Sequence, residues 1–138
     1  MYTITRQFTF SYGHRLLNYE GKCGNLHGHN AKVRVTLAAK ELNRQGMVLD
    51  FSELKKRVNT WLDEHWDHRM ILRQDDPLVP ALVAAGEPIC TVPENPTAEF
   101  MAKSLFDTVR EEGFAVVRVD FWETVNCFAT WSEDEDGL

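Results

Sequence analysis

Few cysteines, no excess of basic charge and no long apolar run characterise this sequence, and each absence argues against a class of protein. Its 3 cysteines are an odd number without close, regular spacing, which argues against a disulfide framework and favours a reducing compartment. Its 15 basic against 21 acidic residues give a formal net charge of -6, which argues against nonspecific nucleic-acid binding. No apolar run approaches the roughly 20 residues of a membrane-spanning helix.

The composition is that of one folded domain, since 138 residues, 43% of them hydrophobic, are enough to bury a core. We assign this domain to residues 1–131 and expect the acidic residues 132–138 to form a disordered tail. Residues 1–6 contain no basic region followed by an apolar run, so we expect no signal peptide and a cytoplasmic protein. We expect neither a membrane nor a nucleic acid among its partners.

Alternation of apolar and polar residues predicts strands over 2–13, 31–39 and 114–126. Shorter extended pieces are predicted over 47–49, 89–92 and 128–131. The strands come in pairs rather than alternating with helices. This order predicts an α+β fold in which helices cover one face of an antiparallel sheet.

Helical spacing of apolar residues predicts two main helices. One follows the capping residue Asp50 and ends near Asp67. The other begins at Asn95, which precedes a proline, and runs to about Glu112. A short helix is predicted over 77–85.

Three histidines are candidate metal ligands. His14 continues the apolar row of the first strand, so it should enter the protein at the end of that strand. His27 and His29 are two residues apart and point the same way in an extended chain. Three imidazoles with an open fourth position are typical of a catalytic zinc site. The alternative is that His14 is a core residue and the pair belongs to a polar loop, but Cys23 nearby favours a metal.

The role of Cys23 remains open on spacing alone. It is either a fourth ligand that closes the metal site or a reactive thiol activated by the nearby zinc and Lys22. Cys90 and Cys127 lie in apolar surroundings and are expected to be small core residues.

Three acidic residues are also candidates. Asp67 beside His68 is able to orient the imidazole as a proton carrier, although a helix end that attracts a cation is an equal alternative. Glu123 interrupts an apolar strand row, which favours a buried ligand that donates hydrogen bonds to it over a salt bridge with an arginine or a solvent-exposed strand end. Glu99, by position alone, is a favourable charge in the first turn of its helix.

Taken together and in order, these motifs resemble those of the 6-pyruvoyl-tetrahydropterin synthase family. The resemblance runs from about Ile4 to Thr124. It rests on Phe10-x-x-x-His14, Cys23-x-x-x-His27-Gly-His29, Asp50-Phe51, Asp67-His68, Asn95-Pro96-Thr97-x-Glu99 and Glu123-Thr124. The three-residue gap between Cys23 and His27 is similar to the bacterial and archaeal branch, the 6-carboxy-tetrahydropterin synthases of the queuosine (7-deazapurine) pathway. The chain departs from the family at Tyr12-Gly13, where small residues are usual, and in its longer segment 69–93.

The resemblance implies the tunnelling fold, in which an antiparallel four-stranded sheet carries two helices on one face. Subunits of this fold pair into an oligomeric barrel, and trimers stack to a homohexamer with active sites between subunits. The resemblance also implies the site residues: His14, His27 and His29 as zinc ligands, Cys23 as the catalytic thiol, Asp67 and His68 as a proton relay from a neighbouring subunit, and Glu123 as the pterin anchor, assisted by Thr97 and Glu99.

The implied reaction is that of a zinc-dependent lyase. It converts 7,8-dihydroneopterin triphosphate to 6-carboxy-5,6,7,8-tetrahydropterin and releases acetaldehyde and triphosphate. One alternative is 6-pyruvoyl-tetrahydropterin synthase, which eliminates triphosphate without cleaving the side chain. Another is a non-catalytic zinc- and pterin-binding protein of the same fold, against which a thiol and a proton relay argue. Cations that would face the triphosphate include Arg15, Lys22, Lys32 and Arg34.

Overall fold

A computed structural model describes residues 1–133, in which six strands form one sheet in the order β4-β3-β1-β2-β5-β6. The strands are β1 (Tyr2–His14), β2 (His27–Ala39), β3 (Arg69–Arg73), β4 (Ile89–Val92), β5 (Val116–Thr124) and β6 (Cys127–Ser132). The α-helices are α1 (Phe51–His65), α2 (Val79–Ala84) and α3 (Ala98–Glu111).

The first two strands form a long antiparallel hairpin that carries much of the site. Tyr2 pairs with Ala39 at one end and His14 with His27 at the other, so the strands pair along their whole length. Apolar and polar residues alternate along both strands, which places one row against the helices and leaves the other exposed. The connecting loop contains a single 3-10 turn, Lys22–Gly24.

The two longer helices cover one face of the sheet, as the sequence predicted. Buried residues of α1 and α3 join those of β1, β2 and β5 in one core. The Asp50 side chain caps α1 by accepting a hydrogen bond from the Ser52 amide at 2.8 Å. Thr97 caps α3 by accepting from the Phe100 amide at 3.1 Å, so that helix starts slightly later than Asn95.

The expectation of a four-stranded antiparallel sheet is wrong, because the sheet has six strands and is mixed. β3 pairs in parallel with β1, and β4 in parallel with β3. The long segment 69–93 supplies these two strands and the short helix α2. Strand β3 escaped prediction because it has only five residues and begins and ends with arginine. The strand end predicted over 47–49 does not form a strand.

The predicted tail boundary at residue 132 is also wrong for its first two residues. Ser132 ends β6, and the Glu133 amide donates a hydrogen bond to the Val117 carbonyl at 3.2 Å. Residues 134–138, the rest of the predicted tail, lie outside the described part of the chain. Within residues 1–133, no helix is long and apolar enough to cross a membrane.

Candidate metal centre and active site

The hairpin register brings the three predicted histidines together. His14 ends β1 directly opposite His27, which begins β2, and His29 lies opposite Tyr12. One ring nitrogen from each imidazole lies within 4.8 Å of the others. His14 Nε2 and His29 Nε2 are 3.1 Å apart. The alternation of side chains along a strand therefore turns a sequence separation of 15 residues into a single cluster.

Hydrogen bonds fix which nitrogen faces the cluster in two of the three rings. His14 Nδ1 donates to the Pro96 carbonyl at 2.7 Å, and His27 Nδ1 donates to the Asn25 carbonyl at 2.7 Å. In a neutral imidazole the second nitrogen, Nε2, then keeps its lone pair free. Such backbone partners are the usual means of orienting histidines that bind a metal.

Burial favours the neutral form of two of the imidazoles, His14 and His29, and a neutral ring is the form that binds a metal. His14 is only 2% exposed. Burial is the main cause that lowers the pKa of His14 to about 4. Burial, and then the charge of His27, also lower the pKa of His29. Since each charged imidazole would repel the others, the cluster is stable as a neutral, electron-donating set.

The cluster fits a small metal ion with one open position. Two nitrogens bound at zinc-like distances in a tetrahedron lie about 3.3 Å apart, close to the spacing of His14 and His29. Cys23 is not among the described residues whose ligand atoms join the cluster. The structure thus favours three imidazoles without a fourth protein ligand.

Cys23 lies in the loop between the first two strands and is exposed. Its carbonyl accepts a hydrogen bond from the Leu16 amide at 2.8 Å. The turn needs glycine at position 24, because a Cβ there would lie 2.8 Å from the Tyr19 carbonyl oxygen. The turn therefore holds the backbone of Cys23 in place and exposes the residue to solvent.

Two side-chain clamps hold the start of this loop. Arg15 donates two hydrogen bonds to Asp76, a carboxylate that is 2% exposed. Asn95 accepts from the Leu17 amide at 2.9 Å and donates to the Leu17 carbonyl at 3.0 Å. Sequence reasoning missed both clamps, because their partners are 61 and 78 residues apart. The only signal was that Asp76 and Asn95 each precede a proline.

Glu123 joins the histidine cluster to a pocket. Its Oε1 lies 4.0 Å from His14 Nε2, and no arginine pairs with it among the ion pairs found in residues 1–133. The pocket encloses about 230 Å³ and is lined by Leu16, Thr97, Ala98, Glu99, Glu123, Cys127, Phe128 and Ala129. Burial, and then the charge of Glu99, raise the pKa of Glu123. The structure thus gathers the three predicted pterin-binding residues around one cavity.

The expectation that Cys127 is a core residue is wrong. Cys127 is exposed at the start of β6 and lines this pocket, whereas Cys90 is partly buried in β4. The apolar neighbours in the sequence misled the prediction, because several of them, including Val125 and Phe128, are themselves exposed.

Asp67 and His68 form a hydrogen-bonded pair after α1. Asp67 Oδ1 accepts from the Ser11 amide at 3.1 Å and from His68 Nδ1 at 2.9 Å. The His68 side chain is 80% exposed, and its backbone is left-handed, with φ of 57°. This conformation is uncommon for a residue other than glycine, and it concentrates at functional positions.

A groove of about 650 Å³ runs beside this pair. Residues His27, His29, His68 and Arg69 are among those that line it. Cys23 is not among the described residues that line either the groove or the Glu123 pocket. The chain by itself therefore assembles the histidine cluster with Glu123 but leaves the Cys23 and His68 side chains facing solvent.

The fold is α+β, and its long hairpin carries three clustered imidazoles beside an acidic pocket. These features define the class of protein to which the chain belongs. Residues 3–134 match the family described as 6-pyruvoyl tetrahydropterin synthase, and the chain belongs to this family. The family predicted from the sequence motifs is confirmed.

Similar sequences come from several bacteria. The 6-carboxy-5,6,7,8-tetrahydropterin synthase of Rickettsia bellii is 35% identical over 135 residues, which span 93% of this chain and 98% of that protein. The protein of the same name from Haemophilus influenzae is 30% identical and covers 96% of this chain and all of its own length (100%).

Solved structures agree. The crystal structure of an uncharacterized protein from Wolinella succinogenes superposes with a TM-score of 0.84 at 29% identity, covering 96% of this chain and 98% of that chain. The 6-pyruvoyl tetrahydropterin synthase of Caenorhabditis elegans superposes with a TM-score of 0.71 at 27% identity, covering 96% of each chain.

Proposed function

We propose that this protein is a 6-carboxy-tetrahydropterin synthase. It converts 7,8-dihydroneopterin triphosphate to 6-carboxy-5,6,7,8-tetrahydropterin, with release of acetaldehyde and triphosphate, for queuosine and other 7-deazapurines. The shared name of the Rickettsia and Haemophilus relatives, which match nearly the whole chain, supports this branch and an enzyme of the lyase class. The observation that carries the proposal is the convergence of three imidazoles beside Glu123 and its pocket.

His14, His27 and His29 would hold the metal, and zinc is the ion that this ligand set favours. When bound, zinc acts as a Lewis acid that makes side-chain hydroxyl groups of the substrate more acidic. The chain contributes the orientation of the ligands, through the carbonyls of Pro96 and Asn25.

Glu123 would bind the pterin ring. A carboxylate accepts hydrogen bonds and donates none when ionised, so it suits the amino and ring N–H groups of a pterin. Thr97 and Glu99 line the same pocket and would assist. The site would reject rings that lack these donors, because the half-buried carboxylate would then lose its partners.

Cys23 and the Asp67–His68 pair would move protons. The Cys23 thiolate would remove a proton from the substrate side chain, and His68, oriented by Asp67, would carry protons to and from it. Positioned acid–base groups of this kind contribute about 10²–10⁴-fold to a rate. A protein that only binds a pterin does not need such proton-transfer groups. Their presence therefore favours an enzyme over the non-catalytic alternative.

The active site would be completed between subunits of an oligomer, with trimers stacked to a hexamer. Two observations support this. The sheet ends in the strands β4 and β6, each of which has one neighbour in a single chain. The His68 imidazole points away from its own chain, since 80% of the side chain is exposed. A neighbouring subunit would supply the thiol and metal that it serves.

Product analysis tests the proposed reaction. The zinc-loaded protein is incubated with 7,8-dihydroneopterin triphosphate, and both acetaldehyde and the pterin product are quantified. The proposal predicts equal amounts of acetaldehyde and 6-carboxy-tetrahydropterin. Formation of a 6-pyruvoyl product without acetaldehyde would support the pyruvoyl reaction instead. Pterin binding without turnover would support the non-catalytic alternative.

A further inference from the structure

Tyr12 is a large buried side chain at the centre of the site that the proposed reaction leaves without a role. Its ring contacts that of His14 at a centroid distance of 5.0 Å and that of His29 at 5.6 Å. The residue is 4% exposed. Its hydroxyl is buried and makes no hydrogen bond within residues 1–133. A buried donor without an acceptor is costly, which points to a partner that the site supplies in its working state.

The sheet register places Glu123 on the face of the sheet that carries Tyr12. Phe121 pairs with Val33, so Glu123, two residues further along, lies next to Ala31 on the same face. Ala31 follows His29 in that row, and His29 pairs with Tyr12 on the neighbouring strand. Tyr12 contacts Phe121 at a centroid distance of 5.9 Å, in line with this arrangement. A phenol has an ordinary pKa of about 10, so Tyr12 has a proton to donate at neutral pH.

The Glu123 carboxylate lies between the histidine cluster and the pocket, and it is able to bind on either side. Its Oε1 is 4.0 Å from His14 Nε2, a nitrogen that would bind the metal. Carboxylates are zinc ligands, so an untethered Glu123 would be able to occupy the fourth position that the substrate needs. The same side chain lines the pocket with Thr97 and Glu99. A further contact is therefore needed to direct the Glu123 carboxylate toward the pocket.

We propose that Tyr12 is a positioning residue whose hydroxyl donates a hydrogen bond to Glu123, directs the carboxylate to the pterin pocket and keeps it off the metal. The inference rests on the proposed function, because it assumes that metal and pterin share this site. One carboxylate oxygen accepts the phenol hydrogen, and the other stays free for the ring N–H groups of the ligand. Tyr12 thereby preserves an open metal position without touching the substrate.

Replacement of the natural metal by cobalt tests the metal half of this inference without any turnover. Tyr12→Phe keeps the ring and removes only the hydroxyl. We expect the visible spectrum of the cobalt-loaded Tyr12→Phe protein to shift, because the Glu123 carboxylate would replace a solvent molecule at the fourth position. Adding Glu123→Gln in the same chain should restore the wild-type spectrum. Tyr2→Phe is the matched control, because Tyr2 lies on the same strand and is 53% exposed.

Pterin affinity tests the other half. We expect Tyr12→Phe to raise the dissociation constant of 7,8-dihydroneopterin, used without its triphosphate, by about tenfold. Metal content should stay at the wild-type level. In a Glu123→Gln background the same substitution should change the affinity little, because the two residues act as one unit.

Three results would overturn the inference while leaving the proposed function intact. The first is an unchanged cobalt spectrum with unchanged pterin affinity. The second is a tenfold loss that persists in the Glu123→Gln background, which would mean that the hydroxyl contacts the ligand directly. The third is a higher melting temperature of Tyr12→Phe with wild-type affinity, which would mark the hydroxyl as an unpaired donor. If the wild-type protein binds neither cobalt nor the pterin, the proposed function itself is contradicted, and this inference with it.

Discussion

The three imidazoles are held by two paired strands, whereas Cys23 and the Asp67–His68 pair lie on exposed turns. His14, His27 and His29 follow from the register of one hairpin, and two of them are tied to backbone carbonyls. The thiol and His68 have no such enclosure. We call the first group the metal half of the site and the second the reactive half.

This difference has a physical reason. A metal site needs fixed lone pairs, and paired strands with buried side chains provide them before any ligand arrives. Proton-transfer groups need access to a substrate and function only when a second surface closes around it. The comparison thus predicts that substitutions in one half leave the other intact.

The largest effect is expected in the metal half. His29→Ala should weaken zinc binding by about a hundredfold or more, since only three protein ligands would share a binding free energy that reaches about 10–16 kcal/mol in structural zinc sites. Metal content per chain, measured by elemental analysis after dialysis, checks this. His65→Ala is the control, because His65 stacks on Trp61 outside the cluster. Full zinc retention in His29→Ala would show that the cluster is not the metal site.

In the reactive half, Cys23→Ala should lower turnover by about 10²–10⁴-fold and leave zinc content unchanged. Turnover and zinc content, measured on this one variant, distinguish a defect in the reactive half from a defect in the metal half. Cys90→Ala, which removes a partly buried thiol from β4, should keep both zinc and activity. Loss of zinc from Cys23→Ala would instead make the thiol a fourth ligand.

Glu123 lies at the border between the two halves. Glu123→Gln should weaken pterin binding by about 10- to 100-fold, because a charged acceptor is replaced by a neutral one. The affinity for a dihydropterin, followed by fluorescence, checks this, and metal content should not change. Wild-type affinity in this variant would remove Glu123 from the pterin site.

A smaller effect is expected on stability, where Arg15 and Asp76 connect the end of β1 to the segment 69–93. Asp76→Asn should lower the free energy of unfolding by about 2 kcal/mol, because it weakens a pair whose carboxylate is buried. Urea denaturation of the metal-free protein checks this. Asp75→Asn, which changes the neighbouring exposed pair with Arg73, should show no measurable loss.

The same pair predicts a pH dependence. Hydrogen bonds from Arg15 lower the pKa of Asp76 in the folded protein below its ordinary value near 4. The contribution of the pair is therefore complete above about pH 4 and is lost as the pH falls through the folded pKa. Wild type and Asp76→Asn should differ in stability at neutral pH and converge in acid. A difference that persists there would exclude the ionised pair as its source.

Sequence patterns predicted the clustering of the three imidazoles well, because this clustering depends on local regularities. The alternation that makes Phe8, Phe10 and Tyr12 an inward row also turns His14 inward. Two residues of spacing put His27 and His29 on one face. The Asp50 cap and the helix spacing likewise located α1.

What the sequence did not predict depends on contacts between distant segments. The parallel pairing of β3 with β1 has no local signal, since five residues flanked by arginines do not resemble a strand of a parallel sheet. Asp76 accepts a hydrogen bond from the nearby Leu78 amide, which is a local contact, but its bond to Arg15 is a tertiary contact between distant segments. A single chain fixes the positions of exposed groups such as Cys23 and His68, but it does not supply the groups with which they would act.

One measurement tests most directly whether His68 works across a subunit boundary. His29→Ala and His68→Ala, each inactive alone, are mixed under conditions that exchange subunits, and turnover is measured. If the metal half of one chain meets His68 of a neighbour, random mixing should restore about a quarter of wild-type activity. The reason is that about a quarter of the sites would combine an intact histidine cluster with an intact His68. If each site is built from a single chain, every site keeps one defect, and the mixture would stay inactive, which would contradict this account.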